Sequence, residues 1–292
     1  MHEQIRSRIQ NPKTTSMIKQ VTRTLTACVL VGALFTACQK DNNDTAKQEA
    51  PKISQDVLQQ ISNKGFSTAD VRKVTGGYLV EGDILLDEKE LAAASTSPTL
   101  RIAEVEQYRT NNLVTGLPRT ITVKVTGLTQ AFIDGADLAI QRYNALNLSL
   151  HFQRITSGTA NITLQGFYEA PSGGFITLGS AGFPTSSGNP YSTIRMNTHP
   201  QAYGSNPNVN YVGSVIQHEM GHCIGMRHTD YMNRAYSCGS SGAGNEGSAG
   251  VGAVRIPGTP SGPDAGSWML ACSNGGNRTF NANDIIALNY LY

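Results

Sequence analysis

The sequence predicts an α+β fold. Residues 121–125 alternate apolar and polar side chains as a half-buried strand does, whereas residues 132–146 carry apolar side chains on one helical face. Strand-like segments follow at 148–155 and 161–167. Strand, helix and then further strands is the order of elements in an α+β domain.

The second half of the chain adds two helices and a long coil. Short strands are expected near 175–183 and 192–196, and a helix over 209–225. Residues 237–267 are glycine-rich and are interpreted as coil. Asn281 offers an N-cap for a last helix that runs through residue 291.

A small unit precedes this main domain. Residues 53–61 have helical spacing, and residues 76–86 indicate a turn and a strand. A low-complexity segment at 92–99 is typical of a hinge. We therefore divide the chain into a pro-region or N-terminal β-unit at 53–109 and a main domain at 110–292.

Composition excludes several classes of protein. The chain has 292 residues, of which 39% are hydrophobic and 15% are charged, so it is neither a disordered protein nor a coiled coil. Its formal net charge of +2 offers no polybasic surface, and no nucleic-acid partner is expected.

The N-terminus resembles an export signal. Lys19 and Arg23 precede an apolar run at 25–37 that is too short to span a bilayer and ends in small residues. A Cys at this point, Cys38, resembles a bacterial lipobox, in which the Cys becomes the lipidated N-terminus. Met17 is the favoured start of translation.

Residues 1–37 are thus interpreted as a lipoprotein signal peptide, and residues 38–52 as a polar tether. The protein is expected to be exported and attached to a membrane through a lipid on Cys38, at the outer membrane or cell surface. An ordinary signal peptide, with a secreted product, is the alternative.

Three cysteines remain after Cys38, and export would place them in an oxidising compartment. Three cysteines allow three possible pairings. We favour Cys238 with Cys272, because both lie in coil-rich sequence whereas Cys223 lies in a predicted helix.

The most informative segment contains three of the six histidines within eleven residues. His218 and His222 are four residues apart, so both imidazoles face the same side of a helix. Gly225 can end that helix abruptly and return His228 to the same point. Three imidazoles suit Zn²⁺ and leave a fourth position for water, which Glu219 is placed to reach. The pattern predicts one catalytic zinc ion.

This segment resembles the metzincin consensus H-E-x-x-H-x-x-G-x-x-H and is most similar to the bacterial "HEIGH" metallopeptidases, the protease B family. The likeness rests on 221–225, 227–230 and 268–272, with Met269 matching the metzincin Met-turn. It implies a zincin-like fold with a twisted, mixed β-sheet, an active-site helix and a C-terminal helix. It also implies a zinc endopeptidase acting on proteins or peptides, with Glu219 as general base.

The resemblance extends to the substrate-binding edge. Residues 175–183 resemble the upper-rim strand of matrixins, along which a peptide substrate lies. Asp230 either orients a zinc-bound imidazole or caps a loop. A zinc-containing binding lipoprotein and a non-peptidase zinc amidase remain alternatives, although a binding module would not need Glu219.

The N-terminal unit contains a candidate fourth ligand. Residues 79–84 resemble the Phe-x-Gly-Asp motif of astacin propeptides, in which the Asp binds zinc, although Val80 replaces the Phe. The resemblance implies that Asp83 silences a zymogen until the chain is cut near Arg101 or Arg109. A simple turn in a permanent N-terminal unit is the alternative.

Overall fold

The computed structural model describes residues 52–64, 66–92, 107–239, 246, 252–260 and 263–292. The predicted signal peptide, the lipidation site Cys38, all but the last residue of the tether and nearly all of the predicted hinge lie outside these residues. So does the proposed cleavage site Arg101. Within the described ranges, no helix has the length and apolar character needed to cross a bilayer.

The described residues form ten strands and seven helices. The strands are β1 Arg72–Val74, β2 Gly77–Val80, β3 Ile84–Asp87, β4 Tyr108–Arg109, β5 Arg119–Thr126, β6 Leu150–Arg154, β7 Ile162–Phe167, β8 Gly179–Ser180, β9 Thr193–Asn197 and β10 Val254–Arg255. The helices are α1 Gln55–Asn63, α2 Glu88–Ala92, α3 Gln130–Asn144, α4 Pro200–Tyr203, α5 Val209–Cys223, α6 Ala235–Cys238 and α7 Ala282–Leu291.

The α+β prediction is confirmed. Five strands form a mixed sheet in the order β6-β5-β7-β9-β8, in which only β8 runs antiparallel to its neighbour. Apolar side chains of the central strands are fully buried, among them Ile121, Val123 and Leu164. The short strand expected near 175–183 is β8, whose two residues pair with β9.

Helices α3 and α5 approach closely through two glycines. A Cβ atom at Gly135 would lie 2.8 Å from a methyl group of Val212, and one at Gly213 would lie 3.2 Å from the carbonyl oxygen of Gly135. Larger residues at either position would push the helices apart. This contact holds α5 against the main core.

Helix α5 is buried throughout its last three turns, with every residue from 212 to 223 removed from water. Its N-terminus is capped by Asn208, whose side chain accepts hydrogen bonds from two backbone amides. The helix ends at Cys223, slightly earlier than predicted, and Gly225 adopts φ 105° to reverse the chain. A side chain at Gly225 would also collide with Leu113.

The N-terminal unit is a three-stranded antiparallel sheet, β1-β2-β3, with α1 and α2 beside it. The prediction of one strand across 76–86 is wrong, since β2 and β3 are separate. Between them Glu81 and Gly82 have φ values of 56° and 97°, which turn the chain back on itself. Because apolar residues lie on both sides of this turn, the sequence pattern shows no break between the two strands.

The predicted domain boundary crosses a small sheet. Strand β4, ahead of the expected start at Thr110, pairs with β10. Gln107 is buried and its amide donates to Ser267 and Asp284. Residues 107–109 therefore pack with the main domain, and a cut at Arg109 would fall inside β4.

Candidate metal centre

The three histidines predicted from the sequence converge. His218 and His222 lie one turn apart on α5, and the reversal at Gly225 brings His228 to them. The Nε2 atom of His222 lies 3.1 Å from that of His218 and 3.2 Å from that of His228. Asp83 of the N-terminal unit completes the group.

Asp83 presents Oδ2 to all three imidazoles. This oxygen is 3.1 Å from Nε2 of His228, 3.3 Å from that of His218 and 3.9 Å from that of His222. Burial alone would raise the pKa of the Asp83 carboxyl, but His228 and His218 outweigh it and hold the pKa well below its ordinary value. The carboxylate is thus ionised where the three ring nitrogens meet.

The opposite ring nitrogens set the tautomers. Nδ1 of His218 lies 2.8 Å from the carbonyl oxygen of Trp268, and Nδ1 of His222 lies 2.9 Å from that of Met226. A carbonyl oxygen only accepts, so each Nδ1 carries the proton. In the neutral imidazole the Nε2 lone pair is then free to bind a metal.

His228 has a charged partner instead. Its Nδ1 lies 2.7 Å from Oε1 of Glu246, a buried carboxylate. Burial works to lower the pKa of His228, but Asp83 and Glu246 together raise it well above its ordinary value. The site therefore favours positive charge at this point, which a bound cation also supplies.

Glu219 lies on α5 beside the histidines and against β8. A Cβ atom at Gly179 would be only 2.7 Å from its Oε1, so the glycine permits this approach. Its Oε2 has no hydrogen-bond partner among the described residues. Burial, and then the Asp83 carboxylate, raises the pKa of Glu219 well above its ordinary value. This environment suits a group that exchanges protons.

Comparison with known proteins places this arrangement in a family. A family model described as the dual-action HEIGH metallo-peptidase matches residues 79–292. The chain belongs to this family. The match begins inside the N-terminal unit and includes Asp83 and every histidine of the cluster. The protein is therefore a metallopeptidase, as predicted, and acts on proteins or peptides.

Solved structures give a weaker likeness. Two structures of myroilysin are similar to the chain, at 17% identity with a TM-score of 0.40 and 18% identity with a TM-score of 0.38. The first covers 63% of this chain and 96% of its own, and the second covers 62% and 86%. No curated protein matches the sequence.

In this metallopeptidase Met269 lies under the active-site helix. A Cβ atom at Gly221 would be 2.6 Å from its sulfur, so the glycine and the methionine pack directly together. The same turn offers the Trp268 carbonyl to His218, and the Met269 carbonyl accepts from the Thr229 amide at 2.9 Å. The turn thus supports both ends of the histidine segment.

The structure joins Cys238 to Cys272 by a disulfide and leaves Cys223 as a buried thiol. Asp230 caps a loop: it accepts from the Ala271 amide at 2.9 Å and from the Ser237 hydroxyl at 2.6 Å. These bonds attach the segment after His228 to the segment after Met269. The described contacts include none between Asp230 and an imidazole.

Glu246 is the functional residue that the sequence analysis missed. It accepts from His228 and also lies 3.4 Å from Nη2 of Arg227, which bonds Glu81 at 3.1 Å. Glu246 is the only acidic residue between 231 and 263, and this isolation is the one feature of the sequence that could have singled it out. Its glycine-rich surroundings have no periodicity that would place it in space.

Proposed function

We propose that the chain is a zinc-dependent endopeptidase in which His218, His222 and His228 bind the ion. The observation that carries this proposal is that the Nε2 atoms of the three imidazoles converge on one point. In each ring Nδ1 already has an acceptor, so Nε2 is the nitrogen that would bind the ion. An ion about 2.0–2.1 Å from four tetrahedral donors separates those donors by roughly 3.3–3.4 Å. Each imidazole Nε2 lies 3.1–3.9 Å from the Asp83 carboxylate, the His222 Nε2 lies 3.1 and 3.2 Å from the other two, and all four donor atoms lie within 4.8 Å of one another, which supports the assignment.

When bound, zinc polarises the scissile carbonyl and lowers the pKa of water at the site. Glu219 would accept a proton from the attacking water while the oxygen of that water forms a bond to the carbonyl carbon of the substrate. The protonated carboxyl of Glu219 returns that proton to the amine nitrogen as the C–N bond breaks. Raising the pKa of Glu219 by burial helps it to hold the proton between these two steps.

The N-terminal unit keeps the enzyme latent in this proposal. Asp83 lies where water would otherwise stand, and the same segment covers the predicted substrate edge. The Leu85 amide donates to the Ala181 carbonyl at 2.9 Å, and the Ala181 amide donates to the Asp83 carbonyl at 3.1 Å. Activation would follow a cut before β4, near Arg101, since Arg109 lies in the paired strand.

Export and lipid anchoring at Cys38 complete the proposal, with attachment at the outer membrane or cell surface. The sequence supports it through the apolar run that ends at Cys38, and the disulfide is consistent with an oxidising compartment. Cys38→Ser should abolish incorporation of labelled lipid and release the protein from membranes. A wild-type protein that is soluble and unlipidated would contradict the anchor.

The deciding experiment measures metal content and hydrolysis on the same samples. Casein cleavage should vanish with a chelator and return with Zn²⁺. Glu219→Gln should retain about one zinc per chain while cleavage falls by about 10²–10⁴-fold or more. His222→Ala should lose both, whereas the exposed His151→Ala should lose neither. A Glu219→Gln variant of near-normal activity would refute the mechanism.

A further inference from the structure

A cavity of about 490 Å³ opens beside the metal centre. It begins at Glu219 and follows α5 backwards, where Val215 and Tyr211 line one wall. Residues of the segment 270–278 line the opposite wall. Eight helical residues span about 12 Å, so the cavity is deep enough for a substrate side chain next to the scissile bond.

The part of this cavity nearest Tyr211 is polar and is lined by a cation. Arg278 lines it together with Tyr211 and Ser273. Nη1 of Arg278 reaches a single carbonyl, that of Cys272, at 3.4 Å. In the described part of the chain, no carboxylate lies within ion-pair distance of this guanidinium.

The other charges that line the main-domain side of the cavity already have partners. Arg234 lies 3.4 Å from Glu246, which in turn holds His228. Asp230 and Asp284 attract Arg278 through space, but Asp230 bonds Ala271 and Ser237. Arg278 is half-buried, and this burial lowers the pKa of its guanidinium.

Asp284 is likewise occupied: it accepts hydrogen bonds from Gln107, Trp268 and Asn281. Arg278 is therefore a partly desolvated cation with incomplete compensation. A half-buried guanidinium in this condition gains more from a carboxylate than from a neutral amide.

The backbone holds Arg278 in place. Its amide donates to the Ser214 hydroxyl at 2.7 Å, and that hydroxyl donates to the Arg278 carbonyl at 3.0 Å. The disulfide at Cys272 holds the neighbouring residues of the same wall. Both anchors belong to the main domain, so they persist when the N-terminal unit is removed.

We propose that Arg278 gives this metallopeptidase a preference for substrates with Asp or Glu beside the scissile bond. The apolar walls at Val215 and Leu270 accommodate the methylene groups of such a side chain. Its carboxylate then lies against Arg278 and the Tyr211 hydroxyl. This inference rests on the proposed endopeptidase function and names its substrate class.

The test uses enzyme matured from the full chain and a matched set of fluorogenic peptides. The residue on each side of the scissile bond is varied in turn among Glu, Gln, Leu and Lys. Wild type should cleave the Glu peptide about 10–100-fold faster than the Gln peptide in kcat/KM, at one of the two positions. Arg278→Gln should erase this ratio, and Arg278→Lys should retain part of it. The surface variant Arg154→Gln should keep it.

The outcomes are separable. A wild type that cleaves the set but treats Gln or Leu as well as Glu would overturn the acidic preference alone. If folded Arg278→Gln still prefers Glu, another residue causes the preference, and the inference is overturned as well. Failure to cleave any peptide with zinc present would remove the proposed function itself. Should Arg278→Gln not fold, the wild-type ratio and Arg278→Lys decide.

Discussion

The N-terminal unit and the main domain are stabilised in different ways. The main domain has an extensive core that includes the central strands, α3 and α5. The N-terminal unit has a small core, and one of its members, Phe183, comes from the main domain. That core consists of Ile61, Phe66, Val80, Ile84, Leu86, Leu91 and Phe183. A unit that borrows part of its core depends on docking for its stability.

Charges at the interface show the same asymmetry. Glu81 is fully buried and bonds Arg227, and burial raises the pKa of Glu81 well above its ordinary value. Arg227 also lies 3.4 Å from Glu246 of its own domain. Removing the N-terminal unit therefore leaves Arg227 with a carboxylate, whereas Glu81 loses its buried partner. This asymmetry supports the proposed removal of the N-terminal unit.

The largest expected effect comes from a change in the core of the N-terminal unit, at a residue that belongs to that unit. Phe66 is buried and stacks on Phe183 with 6.5 Å between ring centroids. Phe66→Ala should destabilise the N-terminal unit by about 3–5 kcal/mol. Hydrogen exchange should accelerate in β1–β3 and stay unchanged in β5–β7. The exposed variant Lys73→Ala serves as control, and equal acceleration in both regions would show that they unfold as one.

The second largest effect concerns Asp83, through which the N-terminal unit contacts the metal centre of the main domain. Asp83→Ala removes a partly buried carboxylate whose charged hydrogen bonds are worth about 1.5–3 kcal/mol. The initial hydrolysis rate of the uncut chain should therefore rise about 10–150-fold. Self-processing should quicken as well. Asp56→Ala, on the outer side of α1, should change neither rate. If wild-type uncut chain is already as active as the trimmed form, the blocking role is lost.

The third effect concerns Glu246, the carboxylate with which the main domain itself supports His228. Glu246→Gln keeps a hydrogen-bond acceptor for His228 but removes the negative charge. Zinc affinity should fall by about 10–100-fold, measured by competition with a chromophoric chelator. Asp137→Asn, a surface acid paired with Arg154, is the control. Unchanged affinity in Glu246→Gln would leave Glu246 with a packing role only.

The smallest effect is on pH dependence. Burial raises the pKa of Glu90 in α2 to about 7. Between the ordinary value near 4.5 and 7, the folded unit holds a proton that the unfolded chain has lost, so stability falls as pH rises through this window. Glu90→Gln should flatten that slope in exchange measurements on α2, whereas the exposed Glu88→Gln should not. An identical slope in wild type and Glu90→Gln would contradict the assignment.

Much of the metal centre was available from the sequence. The spacing of His218 and His222 places them on one helical face, and Gly225 marks the reversal that returns His228, because these are local properties of a helix and its end. The N-cap at Asn281 was equally local, and the structure contains it as part of a capping box with Asp284. The α+β class followed from periodicity in the same way.

Glu246, Arg278 and the paired carboxylate Glu81 could not be placed by such reasoning. Glu246 lies in a glycine-rich coil, Arg278 in the segment after Met269, and Glu81 in the turn between β2 and β3. No short-range pattern relates these three segments to α5. Their positions depend on long-range packing, on the disulfide and on the edge of β8 that the N-terminal unit covers. The local sequence thus determined the histidines and the helix that carries them. Only the tertiary structure decided which charges surround them, because burial and charge pairing arise between segments that are distant in the chain.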